Sequence, residues 1–192
     1  GKTAAFCIPI LELLMKSPRG SLLVMIPTRE LAKQVLDVIN SLLGFKSSIN
    51  TATLIGGESM SKQLSQLKKR PRIYVGTPGR INDHLQRGSL NLHDAKYLVL
   101  DETDRMLDLG FIQQIQKIIN FLPSKKQTLL FSATLPKNIK EISQKYLHKP
   151  IKISVDENKK LLTKIKHQVI NLEKSEKYSR LLSQINEREG SI

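Results

Sequence analysis

Tyr97-Leu98-Val99-Leu100-Asp101-Glu102-Thr103-Asp104 runs from four apolar, strand-favouring residues straight into three carboxylates. An unbroken apolar run of this kind is the pattern of a strand buried on both faces of a parallel sheet. Ionised carboxylates are too costly to bury unpaired, so Asp101, Glu102 and Asp104 should emerge at the carboxyl edge of that sheet, where open α/β sheets bind ligands. An oxygen-rich corner there suits a hard divalent cation such as Mg2+, held by one or two carboxylates together with substrate phosphates. The other reading of the same residues is an acidic loop that happens to follow a strand.

Outward from this stretch, apolar strands alternate with amphipathic helices. Strands are predicted at 21–26, 51–55, 72–75, 128–131 and 151–155. Helices are predicted at 4–16, from Thr28-Arg29 to Gly44, at 59–69, from Thr77-Pro78 towards Leu85, at 108–122, and from Leu135-Pro136 through Tyr146. The 108–122 segment places Ile112, Ile115, Ile119 and Leu122 on one face. Thr77 suits an N-cap and Pro78 the first helical turn. Gly56 and Gly57 can adopt positive φ and let a ligand backbone come close. Such alternation implies an α/β fold with a doubly wound parallel sheet and right-handed crossovers. Residues 156–164 turn polar and charged, as a linker does. Beyond them, a strand-like stretch at 165–172 and a helical one at 178–185 are too short to bury a core alone, and suggest the opening of a second domain.

Composition narrows the class. With 40% hydrophobic and 25% charged residues among 192, the chain is globular. No apolar run approaches the roughly 20 residues of a membrane span, so a soluble intracellular protein is expected. The formal charge of +14 points to polyanions, nucleic acid first, with a solvated lysine-rich surface as the alternative. The basic run Lys68, Lys69, Arg70 and Arg72 is read as exposed surface. Cys7, the single cysteine, lies among apolar neighbours and is read as a core residue. The four histidines are too dispersed for zinc and are expected at the surface. Gly1-Lys2-Thr3 opens the chain without methionine, which suggests a fragment. At a phosphate-binding helix start, Lys2 would reach terminal phosphates and Thr3 would offer its hydroxyl to Mg2+.

Gly-Lys-Thr (1–3), Pro-Thr-Arg-Glu-Leu-Ala (27–32), Gly-Gly (56–57), Thr-Pro-Gly-Arg (77–80), Asp-Glu-Thr-Asp (101–104) and Ser-Ala-Thr (132–134) occur in that order. The ordered set resembles the first RecA-like domain, a P-loop NTPase fold, of DEAD-box ATP-dependent RNA helicases. The resemblance implies a helicase ATP-binding domain at 1–154, an interdomain linker at 155–164 and the truncated start of a second RecA-like domain at 165–192. It implies that Gly1, Lys2 and Thr3 bind ATP, that Thr3 and Asp101 hold Mg2+, and that Glu102, with Lys2, is catalytic, Glu102 orienting and deprotonating the attacking water. Asp104, Ser132 and Thr134 would couple ATP hydrolysis to RNA remodelling. Thr28, Arg29, Gly57, Thr77 and Arg80 would grip the RNA backbone without sequence preference. A cytoplasmic enzyme without a membrane partner follows, acting on RNA, with ribonucleoprotein, ribosome-assembly or RNA-decay proteins as possible partners. Thr103 departs from the family pattern, which has alanine there, and a branched hydroxyl could shift the packing beneath the site. The adenine-recognising segment, most of the phosphate loop and the second domain's arginine finger are missing. An arginine finger is worth on the order of 10³ to 10⁵ in rate, so this piece alone is expected to be nearly inert as an ATPase. A non-catalytic RNA-binding or adaptor module derived from such a domain is the alternative.

Overall fold

In the computed structural model, which describes residues 2–44, 47–134, 137–154 and 169–187, the predicted anchor strand lies inside a parallel sheet. Among the described residues the strands are β1 (Ser21–Met25), β2 (Thr51–Leu54), β3 (Ile73–Gly76), β4 (Ala95–Leu100) and β5 (Gln127–Leu130), ordered β2-β3-β1-β4-β5. Helices α1 (Lys2–Lys16), α2 (Arg29–Leu43), α3 (Met60–Lys68), α4 (Pro78–Gln86), α5 (Thr103–Asp108), α6 (Ile112–Asn120) and α7 (Lys137–Tyr146) accompany the sheet.

The period-two alternation of β1 explains why both faces are covered. Leu22 and Val24 pack with Phe6, Ile10 and Leu14 of α1 and Val35 and Ile39 of α2. Leu23 and Met25 point the other way, towards Ile81 and Leu85 of α4 and Ile115 and Ile118 of α6. The register then matters for function. Leu54, Gly76, Met25, Leu100 and Leu130 lie side by side, so all five strands end along one edge. Gly76 permits this alignment, because a Cβ there would sit 2.2 Å from the Leu54 carbonyl oxygen.

Local chemistry sets the helix ends. Thr28 has extended backbone (φ −126°, ψ 159°), and its hydroxyl accepts from the Leu31 N–H, capping α2. Gly44 closes that helix at φ +68°, donating to Asn40 O. The edge strand β2 is protected, with Thr53 N–H donating to Gln66 Oε1 at 3.0 Å. Arg72, read from sequence as surface charge, donates instead to Leu14 O (3.1 Å), Ser17 O (2.8 Å) and Gly20 O (2.9 Å). It thereby holds the carboxyl end of α1, where a cation also complements the helix dipole.

Several expectations are corrected. The helix predicted at 108–122 is the shorter α6, Ile112–Asn120, and a helix that was not predicted, α5, precedes it, the two separated where Gly110 takes φ +77°. Residues 151–154 form no strand, and Ile151 and Ile153 are 89% and 83% exposed, with no strand among the described residues paired to them. The described part of the strand predicted at 165–172, residues 169–172, is likewise irregular. Residues 165–168, the linker at 155–164, Leu135, Pro136 and Gly1 lie outside the described residues. His84 is not a surface residue but fully buried.

The chain divides into two compact units, 1–150 and 151–192. The second contains α8 (Lys177–Asn186), on which Tyr178, Leu181 and Leu182 are exposed. No helix among the described residues is long and apolar enough to cross a membrane.

Removing the Arg72 clamp should show directly in stability. Arg72→Ala leaves three carbonyls without their charged donor and is expected to cost about 2–3 kcal/mol in urea unfolding. Lysine, which cannot reproduce the planar fork, should recover only a minor part of the loss.

Candidate functional site

Every loop leaving the aligned strand ends carries one of the sequence motifs. β1 leads to Thr28 and Arg29, β2 to Gly56 and Gly57, β3 to Thr77, β4 to Asp101 and Glu102, and β5 to Ser132 and Thr134. The first turn of α1 comes to the same edge: Phe6 packs on Phe131 with ring centroids 5.4 Å apart, and Lys2 is near enough to Asp101 to act on its titration.

Asp101 is only 7% exposed. Its N–H donates to Met25 O at 3.0 Å, fixing it against β1, and its Oδ1 accepts from the Glu102 N–H at 2.9 Å. Burial raises its pKa above the ordinary aspartate value. The Glu102 N–H opposes that rise, the Glu102 charge adds to it, Lys2 opposes it and Asp104 adds to it. The carboxylate is thus desolvated, with the Glu102 N–H and Lys2 offsetting only part of the effect. The charge also reaches Cys7, whose thiol is pushed up to about 12 by burial first and by Asp101 second, so it stays protonated in the core.

Glu102 adopts a left-handed backbone, φ 50° and ψ 48°, unusual for a residue with a Cβ and costing of order 1–3 kcal/mol. Its side chain is partly exposed and lies 3.4 Å from Arg105 Nη1. Thr103 is fully buried, and its N–H donates to Phe131 O at 3.0 Å. There the hydroxyl donates to Leu100 O at 3.2 Å. That carbonyl also accepts from Phe131 N–H at 2.8 Å.

Asp104 joins the ends of β4 and β5. Its Oδ2 accepts from the backbone of Ala133 (3.1 Å) and Thr134 (3.0 Å) and from the Thr134 hydroxyl (3.0 Å), while Oδ1 accepts from Arg105 N–H. Burial would raise its pKa, but the Thr134, Arg105 and Ser132 donors outweigh burial and lower it. Ser132 contributes only by proximity. Its buried hydroxyl has no partner of hydrogen-bond geometry among the described residues, so the expected tie to Asp104 is made by Thr134 and by two backbone amides.

Beside these acids lies a cleft of about 500 Å3 lined by Thr28, Arg29, Gly56, Thr77, Gly79, Arg80, Asp83 and Phe111, among others. Arg29 is exposed, and its guanidinium lies over the glycine pair; a Cβ on Gly57, which has φ +73°, would meet Arg29 Nη1 at 2.0 Å. Arg80 is largely enclosed, donating to Glu58 O at 3.1 Å and lying 3.6 Å from Asp83. Thr77 is the N-cap of α4, with Pro78 in the first turn, but its side chain makes no capping bond. The helix's first N–H groups are therefore left to an outside acceptor. Sequence reading missed Phe111 and Asp83 in this cleft; neither falls in a recognised motif.

A parallel α/β domain with lysine, acids and a donor-rich cleft on one carboxyl edge belongs to the class of open α/β sheets that bind ligands at that edge. The family profile described as DEAD/DEAH box helicase matches residues 1–142, and the chain belongs to that family. It is 42% identical over 182 residues to the ATP-dependent RNA helicase DbpA of Bacillus subtilis, covering 94% of this chain and 38% of that one. The crystal structure of a DEAD box protein from the hyperthermophile Methanococcus jannaschii superposes with a TM-score of 0.71 at 46% identity, covering 76% of this chain and 40% of that chain. A hypothetical ATP-dependent RNA helicase from Sulfolobus tokodaii gives a TM-score of 0.71 at 35% identity, covering 78% and 43%. The chain thus spans about two fifths of the length of these relatives.

Two substitutions test this electrostatic description. Asp101→Asn keeps an oxygen for the Glu102 N–H and removes the buried charge, so it should raise the melting temperature at neutral pH without nucleotide. Because the folded pKa of Asp101 lies above its unfolded value, protonation favours the native state. The advantage of the Asn variant should therefore be absent below the unfolded value and appear as pH rises through the folded one. Thr103→Ala should cost only about 1 kcal/mol, since Leu100 O keeps its backbone donor.

Proposed function

We propose that the chain is the first RecA-like domain and the opening of the second domain of an ATP-dependent RNA helicase, which uses ATP binding and hydrolysis to unwind short RNA duplexes or remodel ribonucleoprotein. The observation that carries this reading is the buried, undercompensated Asp101 beside the charge of Lys2, on the edge where the strand ends align. The domain boundaries proposed are 1–154, 155–164 and 165–192.

In this reading Gly1, Lys2 and Thr3 bind the ATP phosphates. Thr3 and Asp101 are one hydroxyl and one carboxylate, a donor set that fits a magnesium ion completed by phosphate oxygens and water. The ion, when bound, would neutralise charge developing between the phosphates. Glu102, strained and partly exposed, orients the attacking water and accepts its proton. Asp104 passes changes at the acids to the β5 loop through Thr134, with Ser132 beside it. Thr28, Arg29, Gly57, Thr77 and Arg80 receive the RNA backbone in the adjoining cleft. Backbone amides and guanidinium groups bind phosphates irrespective of sequence. Arg80 acts largely by shaping the cleft wall, and Arg29 offers the more accessible charge. Ribosome-assembly or RNA-decay proteins in the cytoplasm are the expected company of such an enzyme.

In the full-length protein, Glu102→Gln should lower ATP hydrolysis by about 10² to 10⁴ while RNA affinity persists; hydrolysis near the wild-type rate would remove Glu102 from this role. Arg29→Ala should weaken binding to all single-stranded RNA sequences alike and reduce the salt slope of log K by roughly 0.7, one phosphate contact.

A further inference from the structure

Behind the cleft lies a buried polar relay that none of the sequence motifs contains. Gln63 of α3 and His84 of α4 are both 0% exposed. Gln63 Nε2 donates to Ile55 O at 2.9 Å and is 3.5 Å from Glu58 O, so one carboxamide spans the turn that contains Gly56 and Gly57. Its Oε1 is 3.1 Å from His84 Nε2, and His84 Nδ1 is 2.8 Å from the Ser89 hydroxyl. The amide nitrogen must donate to carbonyl oxygen, so Oε1 must accept, and His84 therefore carries its proton on Nε2. Nδ1 is then an acceptor facing the Ser89 hydroxyl, whose single proton is shared between it at 2.8 Å and His84 O at 3.1 Å. Burial lowers the His84 pKa, with Arg80 and Arg87 also lowering it and Asp83 opposing, so the neutral ring matches this assignment. The same turn is held from the other side by Arg80 on Glu58 O and by Lys33, whose Nζ is 3.0 Å from the Glu58 carboxylate.

We infer that Gln63, braced by His84, is a positioning residue for RNA binding, holding the Gly56-Gly57 turn in register with the first turn of α4. The inference rests on the proposed RNA-binding role of the cleft. Glycine at positive φ gives the turn freedom that its own side chains cannot restrain. The restraint comes instead from a buried donor on α3 that ties the strand end to α4. Without it, Ile55 O loses its donor, and the two walls of the cleft, Gly56 with Arg29 and Thr77 with Arg80, keep the Arg80 bond to Glu58 O but lose their buried tie. The relay touches no residue assigned to ATP, so its loss should separate the two ligands.

The test uses the full-length protein with Gln63→Met and His84→Phe, which keep volume and remove the polar links, and the double variant. Single-stranded RNA affinity, affinity for a fluorescent ATP analogue and thermal melting are measured together. The expected result is an RNA affinity about tenfold lower in each variant and no lower in the double variant, with nucleotide affinity within about twofold of wild type. Should one single variant fail to melt cooperatively, the other carries the same comparison. Unchanged RNA affinity in a folded variant, or RNA and nucleotide affinities falling in parallel, would overturn the positioning role. Wild-type protein that binds no RNA would instead overturn the cleft assignment beneath it.

Discussion

An ionised carboxylate cannot be left unpaired in a dry interior, and the organisation of this domain follows from that constraint. β4 is apolar from Tyr97 to its last residue, and its backbone continues directly into Asp101, whose amide is still bonded to Met25 of β1. The acid is consequently held at the margin of the core, with too little solvent to be comfortable and too few donors to be neutralised. Lys2 approaches from α1, and the Glu102 amide turns back to meet it. That turn forces Glu102 into a left-handed conformation. Strain and desolvation at adjacent residues therefore have a common origin in the abrupt exit of a buried strand.

The second acid meets the same constraint differently. Asp104 is supplied with backbone and hydroxyl donors from the β5 loop, so its charge is favoured where that of Asp101 is opposed. Two aspartates three positions apart are pushed in opposite directions by their surroundings, one by burial and the other by its donors. The link spans adjacent strand ends, joining Asp104 directly to Ala133 and Thr134.

The fold class was legible because strand and helix periods alternate and because the motifs fall at strand ends. What escaped reading depended on distant partners. Nothing in the run Lys68 to Arg72 distinguishes a surface arginine from one that clamps the end of α1; the three carbonyls it reaches lie more than fifty positions away. His84, expected at the surface with the other dispersed histidines, lies instead on the face of α4 that meets Gln63. The strand predicted at 151–155 had the right alternation but no pairing partner among the described residues, and period alone does not make a strand. The Asp104 clasp rests largely on backbone amides, which no side-chain pattern announces.

The distribution of polar groups also separates two kinds of rigidity. Around Asp101 and Glu102 the backbone is strained and the charge undercompensated, so that region is poised to gain from a ligand. Around Gly56 and Gly57 the chain is intrinsically permissive, but Gln63, Arg80 and Lys33 hold the turn from three elements. A ligand entering there would find geometry already set and would pay little to order it. The cost of that order is borne at folding, when α3 and α4 bury Gln63 and His84 against each other. Strain and undercompensated charge thus lie at the exit of β4, while the braced turn after β2 is held by bonds from neighbouring elements.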